Sequence, residues 1–126
     1  MGILTAIDEI NAAGGVLGGR PLELVTRDNR SIPARGVDNA TDLAAQTDLV
    51  AFFTDKFSPV AIEQSRLLDR LKLPMLDPWA AADEIVPEKP AGSYAFRLSL
   101  RDSWAIPAMA SFLRARGVER MGCLLY

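Results

Sequence analysis

Histidine is missing from all 126 residues of this sequence, and that single absence excludes a wide range of chemistry. Neither a Ser-His-Asp nor a Cys-His nucleophile system can be assembled, and no imidazole can ligate a metal. Cysteine occurs once, at Cys123, so an internal disulfide or a thiolate cluster is impossible. Lying in the apolar run Met121-Gly-Cys-Leu-Leu-Tyr126, it reads as a small core residue. Charge of one sign is also lacking: 14 basic and 16 acidic residues are interspersed, giving a net charge of −2. Without a basic stripe, nucleic acid is not an expected partner. No apolar stretch approaches the roughly 20 residues needed to span a bilayer. No metal, cofactor or catalytic base is expected, and the chain is not expected to be an enzyme.

What is present suits a folded domain. Hydrophobic residues make up 49% of the chain and charged residues 24%, enough to bury a core. Residues 3–13 have helical spacing, with Ile3, Ile7 and Ile10 on one face, and Gly14-Gly15 stops them. Residues 22–27 alternate as a half-exposed strand. Ser31 and Pro33 open a second helix to about Gln46. The run 49–53 is wholly apolar and suits a strand covered on both faces. A third helix begins near Ser58-Pro59 and carries Ile62, Leu67, Leu68 and Leu71. Residues 73–76 form a short strand, and 78–93 form a loop. A further strand at 93–100 places Tyr94, Phe96, Leu98 and Leu100 on one side. Asp102 or Ser103 caps a fourth helix to about Arg116, and 121–126 is a last apolar strand.

Strands alternating with helices of this length predict an α/β fold with a doubly wound, mostly parallel sheet. The first helix starts without a strand before it, and the chain stops in mid-strand. The expectation is a piece of something larger.

The turn Gly14-Gly15-Val16-Leu17-Gly18-Gly19 does not suit a phosphate loop. Such loops follow a strand and open a helix; this one follows a helix and leads to a strand.

The segment from Ala6 to Asp28, Ala-Ile-Asp-Glu-Ile-Asn-Ala-Ala-Gly-Gly-Val-Leu-Gly-Gly-Arg-Pro-Leu-Glu-Leu-Val-Thr-Arg-Asp, closely resembles the start of the type I periplasmic-binding-protein fold in branched-chain-amino-acid importers. The likeness continues through Ser31–Ala44, Phe53–Ala61, Leu73–Ala82 and Tyr94–Arg97. It implies a Rossmann-like first lobe truncated at both ends, with the helix and strand of 102–126 belonging to the second lobe of a full-length member. The implied strand order is 2-1-3-4-5, with the first strand absent. The implied role is capture of a small carboxylate, such as an amino acid or aromatic acid, for an ABC permease that only the full-length protein would meet. Binding by this half site is expected to be weak or lost.

In open α/β sheets, ligands sit beyond the carboxyl ends of the strands. Two such loops are present, and they supply the expected site residues Phe57, Ser58, Trp79, Ala80 and Ala81. Ser58 can cap the third helix, contact a carboxylate, or both. The resemblance implies a hydroxyl near Ala81, and here there is none. Trp79 supplies an indole instead, which favours an aromatic or otherwise apolar acid, unless it merely packs on the 83–93 loop. Arg97 reads as an ion-pair partner.

The competing expectation is a self-associating module without a solute. An empty central slot exposes backbone and apolar side chains, so 121–126 is expected to fill it, most simply by exchange between two copies. Periplasmic location follows from the resemblance. The N-terminus carries no basic segment or cleavage site, so a cytoplasmic location is expected if Met1 is the natural start.

Overall fold

Three short strands carry the same alternation, and it builds the domain. In Phe52-Phe53-Thr54, Met75-Leu76-Asp77 and Ala95-Phe96-Arg97, the outer two residues of each triplet point to one face of the sheet and the middle one to the other. The computed structural model describes residues 2–86 and 92–122. Its elements are α1 (Gly2–Ala12), α2 (Pro33–Ala44), β1 (Phe52–Phe53), α3 (Ser58–Ser65), α4 (Leu68–Leu71), β2 (Met75–Asp77), a 3-10 turn (Asp83–Ile85), β3 (Ala95–Arg97) and α5 (Asp102–Ala115). The strands form a parallel sheet in the order β1-β2-β3, the α/β arrangement expected from the sequence.

Register aligns Phe52 with Met75 and Met75 with Ala95, and this apolar row is buried beneath the helices together with Ala40, Ala61, Leu68 and Ile85. One residue pair further along, the same face turns polar, with Thr54, Asp77 and Arg97 at the carboxyl ends. Thr54 Oγ1 donates to Gln64 Oε1 at 2.8 Å, and Gln64 Nε2 donates to the Gly36 carbonyl at 3.0 Å. Those bonds fasten the sheet to α2 and α3, which pack on one another.

Gly36 makes that close approach possible. A methyl group there would stand 2.5 Å from Val60 Cγ1, and Val60 is fully buried. Gly36→Ala is therefore expected to cost about 1–3 kcal/mol by overpacking, despite the better helix propensity of alanine. Urea unfolding checks it; an unchanged or raised midpoint would contradict the packing argument.

Several elements differ from the sequence expectation. Residues 22–27 form no strand and join no sheet among the described residues. Their start is pinned instead by Asn11, whose side chain accepts the Leu22 N–H at 2.7 Å and donates to its carbonyl at 2.8 Å. Only residues 52–53 of the 49–53 run join the sheet, at its edge and not in its interior. The third helix breaks into α3 and α4, and Lys72 closes α4 in the left-handed region at φ 55°. On β3 the buried side carries Ala95 and Arg97, while Phe96 is 54% and Leu98 87% exposed; no described segment covers that face. The expected caps Ser31, Ser58, Asp102 and Ser103 do not cap, since each of these helices starts without a side-chain cap. Residues 123–126 of the expected last strand lie outside the described residues.

The glycine turn does end α1. Gly15, at φ +75°, donates to the Ile10 carbonyl, and a Cβ there would meet Arg20 O at 2.3 Å. Val16 and Arg20 then exchange two hydrogen bonds of 2.8 Å. Between residues 22–27 and 49–55 the chain leaves a groove of about 690 Å³, floored by Ile7, Ile10, Ala40 and Leu43.

Candidate functional site

Two loops leave the carboxyl ends of β1 and β2, and the fold brings them into contact. The first, 54–58, is shaped by Asp55. One of its carboxylate oxygens accepts the Phe57 N–H at 2.7 Å, and the other accepts Asn29 Nδ2 at 2.7 Å. Asp55 is thus engaged in holding a turn. Phe57 and Ser58 are half-buried, and Phe57 occupies the N-cap position that the sequence offered to Ser58. The Ser58 hydroxyl turns instead to the second loop, where Oγ accepts the Ala82 N–H at 3.4 Å.

The second loop, 77–82, is held from below. Asp77 Oδ1 accepts the Trp79 and Ala80 N–H groups at 3.2 and 2.9 Å. Arg97 donates to the carbonyls of Ala81 at 3.4 Å and Ala82 at 2.5 Å, and lies 3.5 Å from Asp77 Oδ2. The pair is the ion-pair role expected of Arg97. Ala80 is buried and Ala81 half-buried, whereas Trp79 is 72% exposed. At that exposure the indole is not closely packed on the described residues around it. The fold thus brings Ser58, Ala80 and Ala81 into one small region with Asp77, but sequence reasoning missed Ser99, which donates to Ala80 O, and Asp83, whose carboxylate accepts from Ser103.

Burial pushes the Asp77 carboxyl above its ordinary value, against two backbone N–H bonds and the Arg97 cation. The folded protein therefore holds this proton more tightly than the unfolded chain. The stability contribution is full below about pH 4, the unfolded carboxylate range, and is lost as pH rises through the raised value. This is the reverse of the usual carboxylate. Relative to Asp77→Asn, wild-type protein is expected to lose ground steadily from acid toward neutral pH in urea melts. A pH-independent difference between the two would contradict it.

Among the described residues, no cluster of three or more acidic or thiol side chains could hold a metal, and no helix is long and apolar enough to cross a membrane. The arrangement offers a hydroxyl, backbone amides and an exposed indole at the strand ends of a parallel sheet. Such groups can hydrogen-bond to a ligand or stack on one.

A lobe of this kind defines a solute-binding class of protein. The chain belongs to the periplasmic binding protein family, whose model matches residues 1–126. It is similar to an ABC transporter substrate-binding protein from Desulfitobacterium hafniense solved in complex with Leu, with 28% identity and a TM-score of 0.84 over 95% of this chain and 35% of the other. A second structure of a Desulfitobacterium hafniense ABC transporter substrate-binding protein gives 29% identity and a TM-score of 0.81, again over 95% and 35%. The branched-chain amino acid transporter substrate-binding protein LivJ of Streptococcus pneumoniae, in complex with isoleucine, gives 30% identity and a TM-score of 0.70 over 81% of this chain and 28% of that one. The chain thus spans about a third of the length of these structures. No curated protein matches it.

Proposed function

We propose that this chain is the first lobe of a periplasmic ABC-importer binding protein, with no enzymatic role, and that its site takes a small carboxylate. Residues 102–126 would belong with the second lobe, and the permease would be met only by the two-lobe protein. The observation that carries this reading is the meeting of Ser58 with the Ala82 amide across the two loops. A carboxylate can replace the long Ser58–Ala82 contact with shorter charge-assisted bonds to the same hydroxyl and N–H. The solved relatives contain leucine and isoleucine, so an apolar side chain on the acid is the natural choice. Ala81 offers no hydroxyl for an α-amino group, and the exposed Trp79 ring offers stacking, which favours an aromatic acid over leucine.

Titration of ¹⁵N-labelled chain with leucine, isoleucine and benzoate tests this. Amides at 58 and 79–82 are expected to shift, most strongly with benzoate. Ser58→Ala should weaken binding by about 10- to 100-fold, the worth of a hydrogen bond to a charged group. Indifference to all three acids, or equal binding by Ser58→Ala, would sink the proposal.

A second reading, self-association, is favoured by the groove between 22–27 and 49–55. Phe52 and Thr54 donate to β2, so the backbone of the residues between and beside them faces the groove, as alternation along a parallel strand requires. The same chain carries α5, in which no residue is buried and Trp104, Ile106, Met109 and Phe112 are all about three-fifths exposed. Among the described residues the apolar side chains of α5 are uncovered and those lining the groove are partly exposed, which are complementary needs. Exchange of α5 and 121–126 between two copies would meet both.

A further inference from the structure

The carbonyls of the second loop are taken, one after another, by the segment that leaves β3 and starts α5. Ser99 Oγ donates to Ala80 O at 2.6 Å. Arg97 reaches the oxygens of Ala81 and Ala82, and the Asp102 N–H donates to Ala81 O at 3.0 Å. Just beyond, Ser103 donates through both N–H and hydroxyl to the Asp83 carboxylate, at 3.2 and 2.7 Å. This carboxylate serves the start of α5 in place of a side-chain cap of its own.

One peptide group stands at the centre of this set. The Ala81 carbonyl and the Ala82 N–H belong to the same rigid plane. Its oxygen is held by Arg97 and Asp102; its N–H is given to Ser58. A plane gripped at both ends cannot turn at one end without turning at the other.

We propose that the Ala81–Ala82 peptide plane couples occupancy of the carboxylate site to the direction in which α5 leaves the sheet, with Arg97, Ser99 and Ser103 as positioning residues. The proposal rests on the solute reading above. A carboxylate that draws the Ala82 N–H and Ser58 toward itself rotates the plane, and the Asp102 amide and the first turn of α5 follow. By linkage, a change that releases α5 must alter the affinity for the solute by the same factor. The positions involved touch no solute themselves.

The coupling can be read with and without solute in ¹⁵N-labelled chain. Ser58→Ala, at one end of the plane, is expected to shift the Asp102 amide resonance and speed its hydrogen exchange. Ser99→Ala and Ser103→Ala, at the other end, should each speed exchange of the Ala82 amide about fivefold, the worth of one ordinary hydrogen bond. Ser99→Thr and Ser103→Thr, which keep the hydroxyl, should restore it, whereas a merely structural loss would not be rescued in this way. Benzoate or leucine titration of wild-type chain should move Asp102 and Ser103 together with Ala82. If Ser58→Ala leaves Asp102 unchanged, or neither alanine variant alters Ala82, the coupling is wrong. If the variants behave as expected but neither acid shifts any amide, the solute reading fails while the coupled plane stands.

Discussion

Arg97→Met is expected to destabilise the lobe by about 3–5 kcal/mol, the range for removing one member of a buried ion pair. The Arg97 side chain is 8% exposed and that of Asp77 0%, so the carboxylate left behind has no route to water. Its Oδ2 has no hydrogen-bond partner among the described residues and is compensated by the guanidinium 3.5 Å away. Methionine fills similar space, so the loss comes from the stranded charge and from the released carbonyls of Ala81 and Ala82, not from a cavity. Asp77→Asn combined with Arg97→Met should therefore be milder than the sum of the two single changes. The exposed pair Arg66–Glu63 provides the contrast, because Arg66→Met should stay within about 0.5 kcal/mol of wild type. Urea melts of the four variants decide it. Equal effects of Arg97→Met and Arg66→Met would show that burial of the Asp77–Arg97 pair counts for nothing.

That pair also marks how far residue pattern carries. The apolar triplet ends Phe52, Met75 and Ala95 are visible in the sequence as strands between helices, and the polar residues two positions on are visible as their carboxyl ends. An arginine on an alternating strand signals a partner, but nothing in spacing says that the partner is Asp77. In 93–100 the alternation is legible but not which side meets the core, because its larger apolar set, Phe96, Leu98 and Leu100, points away from the described core; hydrophobicity marks a surface that wants covering without saying what covers it. Ser58 was legible as a loop hydroxyl at a helix start and illegible as to its bond, since such a hydroxyl suits a cap and a cross-loop contact equally. The grip of Ser99 and Asp102 on the second loop left no trace in sequence at all. Its acceptors are backbone carbonyls, and these are the same whatever the residue.

Deleting residues 119–126 is expected to unfold the protein and abolish a dimer, if exchange between two copies fills the groove. The groove is lined by Leu22, Leu24, Val25, Leu49 and Phe53 among others, and Val25, Phe53 and Val50 are 36%, 46% and 71% exposed. A strand laid there with four apolar side chains burying on the order of 100 Å² each would contribute up to ~10 kcal/mol at ~25 cal/mol per Å². The whole stability of a domain is only ~5–15 kcal/mol, so loss of that strand should be fatal to the fold. Exchange is favoured over closure within one chain because α5 begins at the β3 side of the sheet, whereas the groove lies beyond β1 at the opposite edge. Closing it alone would require α5 to recross all three strands, whereas a second copy can offer the same arm from outside, and among the described residues no side chain of α5 is buried. Light scattering should report a dimer, and the truncated chain should give neither a dimer nor a cooperative urea transition. A monomer that unfolds on truncation would place the strand in its own chain, contrary to exchange. A monomer that keeps its transition after truncation would show that 119–126 fills nothing.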